Sequence, residues 1–472
     1  MTVTLPDTFA IVGAGPAGLV SARAFLHYGL KVEILERHNG IGGIWDKSNP
    51  GSPVYESCHF ISSRDYGAFI GYPMPRTYPS YPKWHQIRDY IRGFAEEFGL
   101  TKFIRTDSDV VSAVPVDTEA GRYWTITFAT GETRDYRGVV SATGGQWVPV
   151  MPEYPGAESF SGRIMHSSEY DDIDIFRGKK VLVVGAGNSG VDIAADAAFM
   201  SEKAVLSTRR GYWFLPKLAY GVPVGDLLQG NIPDEKLPPE LVGLAAPAII
   251  QKVLDAVVGD VTNYGLPAPD HMLGETHPIT NFQVLHALAH GLLSYRPNLK
   301  EITPTGVIFE DGSFEELDII VFSTGYDNSI PWIPEGMLEY DQGQPKFLLG
   351  TLVENVEGLY GAGVVHFAGN TYPVFDQLIQ LAAADAKAMV SGENRERLEE
   401  LRASYRPSFK HDNTFLNVRR NANHIDIAAV NVYLKELESE FGVPIPYFST
   451  PDFYADVLAS ALESELVKES GS

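Results

Sequence analysis

Short apolar runs alternate with helix-like segments near the start of the chain. Phe9–Val12 is an apolar run, and after a glycine-rich turn Pro16–His27 carries the pattern of a helix. Gly29 stands where the residue after a helix C-terminus belongs, and Lys31–Leu35 resumes a strand pattern. A strand, a helix and a second strand in this order predict a βαβ unit with parallel strands.

The same pattern recurs farther along the chain. Gly13-Ala-Gly-Pro-Ala-Gly18 reappears 172 residues later as Gly185-Ala-Gly-Asn-Ser-Gly190, after the apolar run Val181–Val184. One GxGxxG is a weak signal, but two copies in a strand–turn–helix context are a strong one. We therefore predict an α/β fold with two Rossmann-like dinucleotide-binding domains.

Four other segments complete this outline. Trp124–Phe128 alternates like an antiparallel strand, and Lys83–Leu100 places apolar residues on one helical face. Val139–Gly144 and Ile319–Gly325 each look like a strand that ends in a tight glycine turn. These two turns lie on either side of the second βαβ unit.

A segment rich in proline and leucine, residues 212–276, interrupts the second unit. Helical patterns occur around residues 240–258, but no part of a Rossmann unit requires this insertion. It either caps the cleft and shapes access of a substrate, or it is a surface excursion or an oligomer contact. The sequence leaves both interpretations open.

The residues of the first turn match the needs of a bound dinucleotide. Gly13 permits the tight turn, Gly15 lets the backbone approach a pyrophosphate, and Gly18 lets helix and strand pack closely. The helix N-terminus then attracts the pyrophosphate charge. Glu36 lies 18 residues after Gly18, where an acidic residue accepts hydrogen bonds from a ribose hydroxyl.

The second unit ends its second strand differently. Ala204–Ser207 leads into Thr208-Arg209-Arg210, so a serine and two arginines stand where the first unit has Glu36. Arginine binds a 2′-phosphate as a bidentate cation, whereas a carboxylate would repel it. We therefore predict NADPH rather than NADH at this site, held by Ser207 and Arg209. Arg210 is either a second contact or a surface charge.

The charge balance and the cysteine count exclude several classes of function. The 472 residues include 37 Lys and Arg against 60 Asp and Glu, a net charge of −23. Nucleic acids and anionic lipid surfaces require cationic contacts, so we expect neither as a partner. Cys58 is the single cysteine, which excludes an intrachain disulfide, a redox-active thiol pair and a multi-cysteine zinc site. The twelve histidines show no paired metal-ligand spacing, and we predict no metal site.

No leader or membrane span is predicted. The N-terminus lacks a basic region followed by an apolar core, and the longest apolar run, Leu241–Ile250, is about half of what a span needs. We expect a cytoplasmic protein, since a chain without disulfides suits that compartment.

Further motifs accompany the two glycine turns. They are, in chain order, Glu36-Arg37, Gly42-Gly43-Ile44-Trp45, Phe160-x-Gly162-x-x-x-His166-x-x-x-Tyr170, Ser207-Thr-Arg209-Arg-Gly211-Tyr-Trp213 and Phe322-Ser-Thr-Gly325-Tyr326. This series covers most of the chain and resembles the class B flavoprotein monooxygenases, specifically the flavin-containing monooxygenases. The third motif ends in Tyr170-Asp171, which favours the branch that oxygenates nitrogen or sulfur over the Baeyer–Villiger branch.

The resemblance implies an FAD domain of residues 1–155 and 325–472, into which an NADP domain of residues 156–324 is inserted. The implied FAD contacts are Gly13, Gly15, Pro16, Ala17, Gly18, Glu36, Arg37, Gly43, Ile44, Trp45, Val111, Thr143, Gly144, Asp376 and Gln377. The implied NADP contacts are Gly185, Gly187, Asn188, Ser189, Gly190, Ser207, Arg209, Thr324 and Gly325. In this family His166 and Tyr170 link the two domains and take no part in the chemistry. A homodimer is the expectation from the family.

The sequence departs from the family pattern at the flavin. Phe60-Ile61-Ser62-Ser63-Arg64 aligns with a family segment that carries an asparagine where Ile61 stands. Ser62 or Ser63 could supply a replacement hydrogen bond, but Ile61 cannot, and these three residues are our flavin-facing candidates. Asp376-Gln-Leu-Ile-Gln380 also differs, since the family more often ends this pattern in arginine.

A helix is predicted in the C-terminal part. Gly363–Asn370 has the pattern of a strand and a turn, and Pro373–Gln377 opens a helix with proline near its first turn. According to the resemblance, the N-terminal dipole of this helix faces the flavin pyrimidine ring. The alternative is an ordinary packing helix.

The resemblance implies a reaction as well. NADPH reduces FAD, O2 adds to give a C4a-(hydro)peroxyflavin, and one oxygen atom passes to the substrate while the other leaves as water. We expect N- or S-oxygenation of a small organic substrate. Baeyer–Villiger oxygenation of a ketone is one alternative, and an NADPH oxidase or flavin reductase that releases H2O2 is another, favoured by Ile61. A non-catalytic protein that binds both dinucleotides is disfavoured by the intact second motif with Arg209.

Overall fold

A computed structural model describes residues 4–228, 237–366, 371–406, 415–422, 424–425 and 427–441. The α-helices of these residues are α1 (Pro16–His27), α2 (Trp84–Glu97), α3 (Asn188–Met200), α4 (Val224–Leu228), α5 (Ala246–Val253), α6 (Gln283–Ala289), α7 (Thr371–Ser391), α8 (Arg395–Ser404) and α9 (Ile427–Phe441). The strands are β1 (Thr8–Val12), β2 (Lys31–Leu35), β3 (Ile104–Arg105), β4 (Val110–Thr118), β5 (Gly121–Phe128), β6 (Thr133–Tyr136), β7 (Gly138–Ser141), β8 (Val148–Pro149), β9 (Arg163–His166), β10 (Lys180–Val184), β11 (Lys203–Ser207), β12 (Phe214–Leu215), β13 (Leu218–Ala219), β14 (Val222–Pro223), β15 (Ile279–Thr280), β16 (Leu293–Arg296), β17 (Leu299–Thr303), β18 (Gly306–Phe309), β19 (Phe314–Glu316), β20 (Ile319–Phe322), β21 (Tyr326–Asp327), β22 (Tyr340–Asp341), β23 (Gln344–Pro345) and β24 (Leu359–Gly361).

The first five-stranded sheet is parallel throughout and has the order β24-β7-β1-β2-β3. Residues 9–12 of its central strand β1 are apolar and buried on both faces, as parallel sheets covered by helices require. The edge strand β24 comes from far along the chain, so the segment after the second unit returns to the first sheet.

The second five-stranded sheet is also parallel and has the order β16-β11-β10-β20-β9. Its β10–α3–β11 unit repeats the β1–α1–β2 unit of the first sheet. The prediction of two Rossmann-like units in an α/β chain is therefore confirmed. The boundaries that we placed at 155/156 and 324/325 stay a proposal.

Each parallel sheet carries a three-stranded antiparallel sheet beside it. Strands β4-β5-β6 lie in the chain between β3 and β7 of the first sheet, and β17-β18-β19 lie between β16 and β20 of the second. The alternating segment predicted as an antiparallel strand, Trp124–Phe128, forms most of β5. Trp124 is fully buried in a core shared with β1 and β7, which anchors this layer to the first sheet.

Helices α1, α2 and α7 share one apolar core with the first sheet. The predicted helix over residues 83–100 is α2, and its buried face includes Ile87, Ile91 and Phe94, as the spacing indicates. Each such large side chain, once buried, stabilises the fold by about 1.5–3 kcal/mol. In the insertion, α5 continues into one π-helical turn, Leu254–Val258, within the stretch where helical patterns were predicted.

The chain passes between the two sheets twice, along neighbouring paths. Strand β8 pairs antiparallel with β21, so the outgoing and returning segments are hydrogen-bonded to each other. These are the segments that follow the predicted turns at Gly144 and Gly325, and both glycines have positive φ, 71° and 86°.

Candidate functional site

The first glycine turn lies between β1 and α1 and leaves no room for side chains. A Cβ on Gly13 would lie 2.6 Å from the Ala142 carbonyl oxygen, and Gly13 has φ +112°. A Cβ on Gly18 would lie 1.8 Å from the Gly13 oxygen. Both positions therefore require glycine, as the motif predicts.

The N-terminus of α1 is open to a ligand. Gly15 is the N-cap residue, no side chain caps the helix there, and Pro16 and Ala17 form its first turn. The amide groups of that turn are left for another acceptor, which a phosphate would supply. Gly43, with φ +58°, approaches Gly15 closely, since a Cβ on Gly43 would lie 3.0 Å from the Gly15 Cα. The predicted Gly43–Trp45 segment is thus part of the same site.

Glu36 lies at the end of β2 and is 4% exposed. Its Oε2 accepts a hydrogen bond from the Ala14 amide at 2.7 Å, and its Oε1 accepts one from the His38 amide at 2.9 Å. A carboxylate oxygen has capacity for a second donor, so both oxygens can still receive a ribose hydroxyl. The structure thus holds the predicted acid rigidly beside the turn.

One tryptophan, Trp147, contacts both Arg37 and the Thr143–Gly144 turn. The Arg37 guanidinium stacks over the Trp147 ring at 4.0 Å, and the Trp147 indole donates to the Thr143 carbonyl at 2.8 Å. Gly144 has φ +71° and follows directly. Trp147 was missed by sequence reasoning, and its stacking against an arginine 110 residues earlier has no local signal.

Val111 is placed in β4, where its side chain is 48% exposed. The register of β4 and β5 shifts between Val110 and Ser112, so Val111 has no partner residue in the ladder. At such an irregularity the backbone groups of the unpaired residue are available to a ligand. Only a backbone contact to FAD suits this geometry.

The second glycine turn repeats the first. Cβ atoms on Gly185 and Gly190 would lie 2.6 Å from the Ser323 oxygen and 2.1 Å from the Gly185 oxygen, respectively. Gly187 differs, because a Cβ there would meet no atom within 4 Å, and no side chain caps α3. The space in front of Gly187 is where a pyrophosphate would approach the helix.

Asn188 opens α3, and its Oδ1 is buried with no hydrogen-bond partner among the described residues. Ser189 follows, half-buried. A buried acceptor without a donor costs about 1–3 kcal/mol, so such atoms commonly mark a site that a ligand completes. The open cradle at Gly187 and the orphan Asn188 oxygen fit a bound dinucleotide.

The end of β11 separates the three predicted phosphate-binding side chains. The Ser207 hydroxyl is buried and donates to the Pro297 carbonyl at 2.6 Å. Its one proton is therefore used within the protein, and a contact from Ser207 to a 2′-phosphate stays a prediction. Arg210 pairs with Asp270 at 3.0 Å, and Arg209 is exposed with no ion pair in the described part of the chain. Arg209 is the cation left for a 2′-phosphate.

Thr324 and Gly325 lie at the passage between the sheets. The Thr324 hydroxyl donates to the Val150 carbonyl at 2.6 Å, and the Gly325 carbonyl is 3.1 Å from His166 Nε2. His166 Nδ1 accepts from the Ser168 amide at 3.1 Å. Burial lowers the pKa of His166, so the ring is neutral near pH 7. This histidine fastens the chain at the passage, as the family pattern implies.

Tyr170 connects the second unit to the segment around residue 55. Its ring centroid is 5.3 Å from that of Tyr55, and its hydroxyl donates to Asp196 of α3 at 2.8 Å. Tyr55 in turn donates to Asp192 of α3 at 3.2 Å. Burial, followed by the nearby Asp192, raises the pKa of Tyr55 well above its usual value. These two buried phenols and two half-buried carboxylates join the segment around residue 55 to α3.

The flavin-facing candidates have three different surroundings. Ile61 is 36% exposed, whereas Ser62 and Ser63 are buried. Phe60 packs between the rings of Trp45 and Tyr372, with centroid distances of 5.7 Å and 5.3 Å.

The two serines of this segment differ in their bonds. The Ser63 hydroxyl donates to Asp226, while the Ser62 hydroxyl has no protein partner among the described residues. Ser62 is therefore the hydroxyl available to a ligand.

The insertion packs on this same segment. Asp226 of α4 accepts from Ser63, the Lys217 ammonium donates to His59 Nε2, and the Tyr81 hydroxyl donates to the Lys217 carbonyl. Burial raises the pKa of Asp226 and lowers the pKa of Lys217. These contacts support the interpretation that the insertion covers the cleft. Sequence reasoning missed Asp226 and Lys217, because their partners lie more than 130 residues away.

Asp376, an implied FAD contact, lies near the start of α7. Its carboxylate is fully buried between α7 and α1 and pairs with the Arg23 guanidinium at 2.5 Å. The carboxylate is therefore used within the protein, and an FAD contact at Asp376 stays a prediction. Gln377 is half-buried on the next helical position. The predicted turn before α7 falls partly on residues 367–370, which lie outside the described residues.

Comparisons with known proteins identify the family of the chain. A family model described as flavin-binding monooxygenase-like matches residues 7–359. The chain is 32% identical over 343 residues to rat flavin-containing monooxygenase 5, covering 70% of this chain and 63% of that protein. It is 30% identical over 348 residues to the rhesus macaque dimethylaniline monooxygenase [N-oxide-forming] 2, covering 70% and 64%.

Solved structures share the fold. The garlic S-allyl-L-cysteine S-oxygenase, from Allium sativum, superposes with a TM-score of 0.60 at 21% identity, covering 97% of this chain and 94% of that one. The chain spans a little under two thirds of the length of the rat and macaque relatives. No helix in the described residues is long and apolar enough to cross a membrane.

Proposed function

This chain belongs to the flavin-binding monooxygenase-like family, and from that premise we propose that it is an FAD- and NADPH-dependent monooxygenase. One oxygen atom of O2 passes to nitrogen or sulfur of a small organic substrate. The names of two related proteins, an N-oxide-forming monooxygenase and an S-oxygenase, support this choice of atoms. The observation that carries the proposal is the pair of open glycine turns, one beside a buried carboxylate and one beside an exposed arginine.

FAD is held at the first turn. The amides at the start of α1 bind its pyrophosphate, Glu36 accepts from its ribose, and the Gly43–Trp45 segment covers the turn. The backbone at Val111 and the Thr143–Gly144 turn complete the contacts. When bound, FAD accepts hydride and reacts with O2, and the protein orients and shields it.

NADPH is held at the second turn. The start of α3 receives its pyrophosphate, and Arg209 receives its 2′-phosphate. The insertion, through its contacts at His59 and Ser63, excludes water from the space between the two sites. The N-terminal turn of α7 offers its dipole to negative charge that develops on the flavin.

An NADPH oxidase that releases H2O2 is the second candidate. Ile61 favours it, since an exposed aliphatic side chain offers no hydrogen bond where the family pattern has asparagine. The experiment that separates the two measures H2O2 per NADPH consumed, alone and with a panel of amines, sulfides and ketones.

A monooxygenase gives less peroxide and an oxygenated product with one class of substrate, and product from ketones alone would identify the Baeyer–Villiger alternative. Near-stoichiometric peroxide under all conditions would establish the oxidase. Ile61→Asn should lower the peroxide yield, whereas the control Ile61→Val should leave it unchanged. The homodimer and the cytoplasmic location stay predictions.

A further inference from the structure

A buried ion pair joins helices α1 and α7. Arg23 lies on α1, which starts at the phosphate-binding turn, and Asp376 lies near the start of α7. Their side chains are 9% and 0% exposed and meet at 2.5 Å. The two residues are 353 positions apart in the sequence.

The arginine is fixed in position by other groups as well. Its second terminal nitrogen donates to the Ile70 carbonyl at 2.8 Å, and its guanidinium lies over the rings of Phe94 and Phe98 at 4.8 Å and 4.6 Å. A planar guanidinium held at three sides has one orientation, so it can define where Asp376 sits.

The aspartate has a second donor on its own helix. Gln380, one turn later, donates to the Asp376 carboxylate at 3.3 Å and is itself fully buried. Gln380 stands where the family pattern more often has arginine. Its neutral amide supports the carboxylate and leaves Arg23 as the single cation paired with it in the described structure.

The first turn of α1 also contacts the segment around Gly363. Gly363, with φ +73°, precedes α7, and a Cβ there would lie 2.7 Å from the Ala17 Cβ in the first turn of α1. The segment at Gly363 thus packs on the first turn of α1, and the Arg23–Asp376 pair joins the two helices directly, one to two turns deeper.

We propose that Arg23 and Asp376 are positioning residues that hold the N-terminal turns of α7 at a set distance from the flavin and thereby set its reduction potential. This rests on the proposed function, because it presumes FAD at the first turn with its flavin ring toward the N-terminal end of α7. A helix dipole acts within about one turn of its end, so a small displacement of α7 changes the stabilisation of anionic reduced flavin. Oxidised flavin carries no such charge and responds less.

Helix α7 contains a matched control. Asp385 pairs with Arg402 of α8, at 2.6 Å and 2.9 Å between two pairs of atoms, and is also buried. It has the same chemistry as the Arg23–Asp376 pair but lies nine residues later, about 14 Å along the helix. Loss of the Asp385–Arg402 pair should weaken packing of α7 on α8 without moving the N-terminal turn of α7.

The experiment compares Asp376→Asn and Arg23→Lys with Asp385→Asn and Arg402→Lys. The midpoint potential of bound FAD is measured against reference dyes, the uptake of oxidised FAD by apo-protein is measured by fluorescence quenching, and the apo-proteins are melted. Arg23→Lys keeps the charge but not the two-pronged geometry, so it serves if Asp376→Asn does not fold.

We expect the affinity for reduced FAD to fall about tenfold more than that for oxidised FAD in Asp376→Asn and Arg23→Lys, which makes the two-electron potential about 30 mV more negative. The two control variants should melt lower with an unchanged potential. An unchanged potential in Arg23→Lys, or an equal shift in all four variants, overturns the inference. A wild-type protein that takes up no FAD overturns the proposed function itself, and this is seen before any variant is compared.

Discussion

At the first glycine turn the neighbouring strand ends in a buried carboxylate, whereas at the second it ends in a buried serine and an exposed arginine. The two turns otherwise have the same geometry. In both, a Cβ added to the first or last glycine would lie 1.8–2.6 Å from a carbonyl oxygen, so both positions require glycine. Glu36 is held by two backbone amides, while Arg209 has no ion pair in the described part of the chain. The shared geometry suits a pyrophosphate in both turns. The residue at the strand end then decides whether a ribose with a free 2′-hydroxyl or one with a 2′-phosphate is bound.

Substituting the glycines that pack helix on strand should lower stability, whereas substituting the glycine that faces the ligand should weaken binding. The loss of stability is the largest expected effect. Gly18→Ala and Gly190→Ala place a Cβ within 2.1 Å of a carbonyl oxygen, so we expect a loss of more than about 3 kcal/mol in the free energy of unfolding. Gly187→Ala meets no atom, so its apo-protein should melt like the wild type but bind NADPH weakly. Chemical denaturation and NADPH titration measure both. A stable Gly190→Ala protein would contradict the close approach.

The two arginines at the end of β11 should differ in how much their loss weakens NADPH binding. Arg209→Ala should raise the KM for NADPH about 100-fold, equivalent to about 2.7 kcal/mol, and change that for NADH little. Arg210→Ala is the matched control, because Arg210 pairs with Asp270 and its loss should change KM by less than about threefold. Equal losses with NADPH and NADH, or a larger effect at Arg210, would move the 2′-phosphate to another site.

Local signals predicted the turns and their flanking elements well. Helix α1 was predicted with the bounds that the structure has, because the glycines and the apolar spacing lie within 20 residues. Strand β24 was not predicted, since three residues carry too little pattern and its register is set by β7. The Arg23–Asp376 and Ser63–Asp226 contacts were not predicted, because the partners lie 353 and 163 residues apart. Contacts of that separation leave no periodic trace in one sequence.

Substitution of Glu36, the carboxylate beside the first glycine turn, should have a smaller effect, on FAD binding. In Glu36→Gln one of the two backbone amides would face an NH2 group that cannot accept, which costs about 1–2 kcal/mol and should weaken FAD about tenfold. Glu33→Gln, on the same strand, is the control, since its partners are Tyr136 and Arg134 on the far side from the turn. Fluorescence titration of apo-protein with FAD measures both. Comparable weakening in the two variants would show that Glu36 acts through strand stability alone.

The smallest expected effect concerns the place where the two units meet. Burial, followed by the nearby Asp192 carboxylate, raises the pKa of Cys58 to about 12. Only the thiolate reacts with iodoacetamide, so at pH 8 about one molecule in 10,000 is reactive and labelling should speed up about tenfold per pH unit up to pH 11.

In urea the thiol should have a pKa of about 8.5 and react rapidly at pH 8. Because the folded pKa is the higher one, the unfolded state loses its proton first as the pH rises above about 8.5, and this group's contribution to stability then falls until about pH 12. Rates followed by mass spectrometry test this. Equal labelling of folded and urea-treated protein at pH 8 would mean that the segment around Cys58 is not docked on α3, and that the two dinucleotide units are less closely joined than the Tyr55–Asp192 contact indicates.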